Sequence, residues 1–218
     1  MLVVYVPTLA FEFTWDDNAN VWANPLLNPV TWANLRTLWQ APYASLYVPM
    51  TYTVWAALAW LHQLWWPGPL SPAPFHGLNV LGHALNGLLV AQLLRRLLSP
   101  EHPPALRTRV AATAGALLFV VHPLQVEAVA WVSSLKDVLY GWWALLALWH
   151  YLEYARRPPG YQRWLQYGLA ILTFSLALLS KPAAVMVPGL AGVLAWGLFQ
   201  QPWRSTLLTL GPWLCFAI

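Results

Sequence analysis

"SLYVPMTYTVWAALAWLHQLWW", residues 45 to 66, decides how this chain is threaded. It is long enough to cross a bilayer, which takes roughly 20 apolar residues. Its first half, however, carries Tyr47, Pro49, Thr51, Tyr52 and Thr53. Such residues suit a helix lying at the headgroup boundary better than one inside hydrocarbon. If 45–66 spans, the loop before it faces the opposite side from the turns around Glu127 and Lys181. If it lies in the interface, that loop and those turns share one side. The polar half favours the second reading, so residues 14–74 are expected to form an outer loop with interfacial helices.

Composition sets the class. Of 218 residues, 59% are hydrophobic and 8% charged, against about 25% charged in soluble domains. The expectation is an all-α, polytopic transmembrane bundle, a single domain over 1–218, with the lipid bilayer as a partner. Sixteen tryptophans and nine tyrosines fit repeated passage through the headgroup region, where amphipathic rings settle. Cys215 is the only cysteine, which excludes a disulfide framework or a cysteine metal site within the chain. The formal charge of +4 comes from arginines in short loops, a topology signal rather than a sign of nucleic-acid binding.

Working outward, apolar runs fall at about 75–98, 109–122, 137–155, 162–179 and 184–199, with another from 205. With "MLVVYVPTLAFEF" (1–13) they make about seven spans, the first and last incomplete. The first run is shorter than a span needs and lacks the charged start and cleavage site of a signal peptide. The chain therefore reads as a fragment. Arginines 95, 96, 107 and 109 flank one loop, 156, 157 and 163 another, and Arg204 marks a third. The positive-inside rule makes these loops cytoplasmic, so "HPLQVEAVAWVSSLKD" and "LLSKPAAV" face outward.

The remaining ionisable residues are candidates for chemistry. "FTWDDNAN" (13–20) places Asp16 and Asp17 side by side after the first run. Either could cap a short helix, or take a proton from an acceptor hydroxyl. Glu127 sits among valine and alanine, where a carboxylate must be paired, protonated or in a wet cavity. Lys136 and Asp137 open a span; helix-dipole stabilisation and snorkelling are their ordinary roles. Lys181 precedes a proline that stops its helix. His83 and His122 read as rings satisfied by neighbouring helices. With an interfacial 45–66, every acid and lysine except Glu12, Glu101 and Glu153 gathers on one face. Acids beside lysines suit group transfer from an anionic lipid carrier: a carboxylate serves as base, and a lysine, or a metal held by acids, offsets charge on a departing phosphate. Asp16, Asp17 and Glu127 are the residues that could hold a divalent ion such as Mg or Mn.

The ordered series "FTWDDNANVWANP", "LYVPMTYTVWA", "FHGLNVLGHALNGLLVAQLL", "LLFVVHPLQVEAVAWVSSLKDVL" and "LLSKPAAV" resembles the membrane domain of the TMTC-type protein O-mannosyltransferases and their bacterial relatives. Those are glycosyltransferases of the GT-C fold, generally followed by tetratricopeptide repeats. Relatives commonly show "WHPLTW" where this chain has "YVPMTY", so Val48 stands where a histidine is expected. The resemblance implies a GT-C-like bundle that moves a sugar, mannose-like, from a polyprenyl-phosphate donor to a protein or other hydroxyl acceptor, including a glycan, at the extracytoplasmic face. It implies a catalytic carboxylate at Asp16 or Asp17, and a repeat domain beyond residue 218. A bacterial inner membrane is the expected location, with the active site facing the periplasm or exterior. Glu127 is expected to help the base, Lys136 and Lys181 to hold the donor phosphate, and His122 and Asp137 to support them. The same charges could instead line a lipid or anion transporter or flippase, which favours paired halves of inverted topology, or belong to a membrane anchor for a repeat domain.

Overall fold

Proline sets many of the helix boundaries. Its locked φ suits a first helical turn, and its missing N–H and ring clash stop a helix further along. The computed structural model describes residues 1–66, 68–99, 105–200 and 202–215. Within these it is all-α, with ten α-helices linked by short 3-10 and π turns. Pro49, Pro72 and Pro188 lie in the opening turns of α3 (Pro49–Trp65), α4 (Pro72–Leu98) and α9 (Val187–Phe199). Pro123 follows the end of α5 (Leu106–Val121), and Pro182 follows α8 (Tyr161–Ser180). The remaining helices are α1 (Leu2–Tyr5), α2 (Trp32–Gln40), α6 (Gln125–Ala130), α7 (Leu135–Arg156) and α10 (Trp203–Cys215).

Two expectations need correction. Residues 1–13 are not the end of one continuous helix: α1 is four residues long and passes into a 3-10 turn, Val6–Ala10, that holds Pro7. Of the seven expected spans, one helix among the described residues, α4, is long and apolar enough by itself to cross a membrane. The prolines are part of the reason, cutting α5 to 16 residues and α9 to 13. α7 has the length, but carries Lys136, Asp137, Glu153 and Arg156.

α3 is one unbroken helix, and both of its ends touch the loop that precedes it. Near its start, Trp39 Nε1 donates to Thr53 Oγ1 (2.9 Å). Near its end, Gln63 Nε2 donates to Leu27 O (3.3 Å) and Asn28 Oδ1 (3.1 Å). Residues 14–44 thus run along the helix, and Val21, Leu27 and Leu38 share its apolar cluster with Val48, Tyr52, Trp55 and Ala59. Val48, where the resemblance leads one to expect a histidine, is buried in that cluster and takes part in its packing.

The bundle is built on α4 and α7. α4 packs against α5 and α7, and α7 lies along α8, with α9 against α7 and α10 against α9. Close approach depends on two glycines. A Cβ on Gly82 would fall 2.5 Å from Val138 Cγ1, and one on Gly87 2.3 Å from Val120 Cγ1. Such small residues let helix backbones meet where van der Waals contact rather than water exclusion drives packing. Between them runs a buried polar stripe. Asn79 Nδ2 donates to Trp131 O (2.7 Å), His83 Nε2 to Val120 O (3.1 Å) and Asn86 Nδ2 to Val138 O (2.9 Å). Val120 O lies just before the break at Pro123, where the ladder has run out of N–H partners. His83 is therefore satisfied by its neighbour, as its sequence setting implied. A second core joins Tyr151, Phe174 and Trp213, the last two stacked at 4.9 Å.

Candidate active site

The turn carrying the two aspartates is closed by reciprocal hydrogen bonds. Asp17 N donates to Thr14 O and Thr14 N to Asp17 Oδ2, each at 3.0 Å. This is the logic of a capping box, in which an acid three residues on reaches back to the first free N–H. Trp15 sits between them with φ of 50°, a left-handed conformation uncommon for a bulky side chain. Strain of this kind concentrates where the surrounding structure enforces it, often at functional sites.

The paired carboxylates therefore have different fates. Asp17 is 0% exposed, and its Oδ1 accepts a 2.7 Å bond from Ser133 N, across the fold. Two backbone donors on an ionised carboxylate make strong, charge-assisted bonds. Asp16 is exposed and has no hydrogen-bond or ion-pair partner among the described residues.

Further bonds fasten this loop to the 131–137 segment. Asn20 Nδ2 donates to Ser133 Oγ (3.2 Å), Tyr52 Oη to Asn20 Oδ1 (3.1 Å) and Trp131 Nε1 to Thr14 O (3.4 Å). Burial, with Tyr43 adding to it, pushes the Tyr52 hydroxyl well above the ordinary phenol range, so it remains a neutral donor. Thr51 Oγ1 donates to Ser180 O (3.0 Å), which brings the end of α8 to the start of α3. The first loop, the start of α3, the 131–137 segment and Ser180–Lys181 thus meet at one end of the bundle.

The two lysines there differ. Lys181 Nζ is ion-paired with Asp137 Oδ1. Lys136 lies with Nζ 5.5 Å from the Trp131 ring centroid and has no acid at ion-pair distance among the described residues. Lys136 therefore carries the uncompensated charge on the segment that holds Asp17. Glu127 is exposed on α6, and its link to the group runs through the backbone, Trp131 N donating to Glu127 O (3.3 Å). His122 is exposed and accepts from Leu124 N at Nδ1 (3.2 Å), which caps its own turn. No hydrogen bond among the described residues joins either side chain to the aspartate turn. Among the described residues, no three of His, Cys, Asp and Glu come together to hold a metal ion. Both Asp17 oxygens accept backbone bonds, and Asp16 and Glu127 are exposed.

Sequence reading missed Trp15, Asn20, Tyr52, Asn79, Trp131 and Ser133. Trp131 and Ser133 lie in the "AWVSSLKD" stretch, so their neighbourhood was visible. Ser133, however, contributes its main-chain N–H to Asp17, which no side-chain pattern can reveal.

No protein-family model matches the chain, and no solved structure matches it. Three curated proteins are similar. Protein O-mannosyl-transferase Tmtc2 of Drosophila melanogaster is 28% identical over 99% of this chain and 23% of its own length. Protein O-mannosyl-transferase Tmtc1 of the same species is 30% identical over 88% of this chain and 21% of its own length. Protein O-mannosyl-transferase TMTC3 of Mus musculus is 26% identical over 87% of this chain and 20% of its own length. The chain spans about a fifth of the length of the curated relatives it matches. Similarity running along nearly the whole chain makes it a distant homologue of the TMTC protein O-mannosyltransferases.

Proposed function

We propose that this chain is the catalytic membrane segment of a GT-C-type glycosyltransferase. It moves a mannose-like sugar from a polyprenyl-phosphate donor to a hydroxyl of a protein or glycan. The observation that carries the reading is the division of labour in one turn. Asp17 is buried and bonded at both oxygens by backbone N–H groups. Asp16 is exposed and, among the described residues, unpaired, on a loop bonded to the segment of Lys136, which has no acid partner among them. Homology to proteins named O-mannosyl-transferases supports it.

In this mechanism Asp16 takes the proton of the acceptor hydroxyl as its oxygen attacks the anomeric carbon. The bond from that carbon to the phosphate oxygen breaks with its electron pair on the phosphate, and direct displacement inverts the centre. Lys136 offsets the charge that develops on the leaving polyprenyl phosphate. Lys181, already matched by Asp137, borders the phosphate and contributes less. Asp17 holds the turn in place. The loop and the two outward turns lie outside the cytoplasm, of a bacterial inner membrane in this reading. α3 lies in the membrane plane, consistent with both of its ends touching the loop.

The test compares Asp16→Asn with Asp17→Asn in the full-length protein, measuring sugar transfer from a polyprenyl-phosphate donor beside a melting curve. A positioned base typically contributes about 10²–10⁴-fold. Asp16→Asn should lose turnover on that scale at unchanged melting temperature, whereas Asp17→Asn should lose both together. Near-normal transfer by Asp16→Asn would sink the assignment.

A further inference from the structure

We infer that the opposite, arginine-rich end of the bundle binds the phosphodiester headgroup of an anionic phospholipid. The inference rests on the membrane reading above but not on the catalytic one. Arg95 and Arg96 end α4, Arg156 ends α7, Arg157 follows it, and Arg163 lies in the first turns of α8. Among the described residues, the carboxylate that answers them is Glu153, and both of its oxygens are engaged. Oε1 accepts from Arg96, and Oε2 from Arg157 at 3.0 Å. Arg95 and Arg163 meet no carboxylate at ion-pair distance among the described residues.

The guanidinium groups are also oriented. Arg96 lies 3.9 Å from the centroid of the Trp149 ring and Arg163 4.6 Å from that of Tyr154. Arg156 is steadied by a 2.7 Å bond to Arg96 O. The Nε atoms of Arg95, Arg157 and Arg163 have no acceptor among the described residues but are shielded from solvent, so the terminal N–H groups of the forks are the ones open to a phosphate. Fixed guanidinium forks with unused N–H groups match the oxygens of a phosphate.

The surroundings select a lipid over a soluble phosphate. Leu98 beside the α4 arginines, and Tyr161 and Trp164 flanking Arg163, are exposed apolar or amphipathic side chains at this end. A phosphate carrying acyl chains covers them, and indole and phenol rings favour headgroup depth. Anionic lipid is drawn to clustered arginines by an amount that makes two of them worth roughly thirtyfold in affinity.

The experiment is native mass spectrometry of the full-length protein from micelles with equal phosphatidylglycerol and phosphatidylcholine. Wild type should retain phosphatidylglycerol preferentially, and Arg95→Gln/Arg163→Gln should lose that preference by roughly thirtyfold. Neither residue is paired with Glu153, so the double variant should keep that ion-pair cluster. Arg163→Lys, which keeps a cation near Tyr154 but not the fork, separates loss of packing from loss of lipid preference. Equal retention of both lipids by wild type, or an undiminished preference in the variant, overturns the site. Displacement of the lipid by millimolar glycerol phosphate would make it a soluble-phosphate site and overturn the lipid assignment. A protein that fails to enter bilayers would take the membrane reading down with it, whereas insertion without lipid preference defeats this inference alone.

Discussion

The two ends of the bundle handle charge in opposite ways. At the arginine end, among the described residues, Glu153 serves two arginines and aromatic rings carry two guanidinium groups. At the aspartate end, acids and lysines are mixed, and the structure separates each pair into a spent and an unspent member. Asp17 is bonded to the backbone and Asp16 is not; Lys181 is paired with Asp137 and Lys136 is not. The first arrangement suits recognition of a fixed anion. The second leaves one carboxylate and one ammonium group without an ion-pair partner among the described residues, as the proposed chemistry requires. Arg36, exposed on α2, is the arginine that does not follow this separation.

The comparison breaks most readily at Asp17. Asp17→Ala leaves the N–H groups of Thr14 and Ser133 without an acceptor, a loss of about 3 kcal/mol if both bonds are charge-assisted. Thermal unfolding of the purified protein checks it, and an unchanged melting temperature would mean that the turn does not depend on that carboxylate. At the other end, Glu153→Gln should cost about 2 kcal/mol, because Arg96 and Arg157 lose a shared partner whose side chain is 13% exposed. High salt should recover part of that loss, as screening relieves repulsion among the exposed arginines.

The lysines sharpen the comparison at smaller magnitude. Lys136→Met should raise the KM for the polyprenyl-phosphate donor about tenfold with unchanged melting, the scale of one charge-assisted contact. Lys181→Met should instead leave Asp137 unpaired and lower stability more than donor affinity. The reverse pattern would exchange their roles. Ser133→Ala should do least, under about 1 kcal/mol, since it removes the hydroxyl that meets Asn20 but keeps the N–H that meets Asp17. A large loss in that variant would show that the hydroxyl holds the loop.

Much of this architecture was legible beforehand, and the failures have identifiable causes. Helical runs and their ends were readable because proline and apolar content act locally: α4, α7 and α8 fall close to the expected 75–98, 137–155 and 162–179. The first run misled because apolar content alone suggests a helix, whereas Pro7 sits in a tighter 3-10 turn. Glu127 and His122 looked equivalent to the other candidates because apolar flanks draw attention to any polar residue. Only the fold shows that His122 caps its own turn and that Glu127 reaches the group through its carbonyl.

From its residues alone, this protein was determined to be helical, apolar, basic at its loop arginines and acidic beside its first apolar run. Those properties follow from composition and spacing, which need no partner in space. The tertiary structure decided which of two neighbouring aspartates is free and which of two lysines is unpaired. It also decided whether residues 14–44 keep company with the 131–137 segment. These outcomes depend on Ser133 N reaching Asp17 and Asp137 reaching Lys181, across separations of 116 and 44 residues. Burial and backbone donors supplied from so far along the chain settle whether a side chain is consumed by structure or left for chemistry.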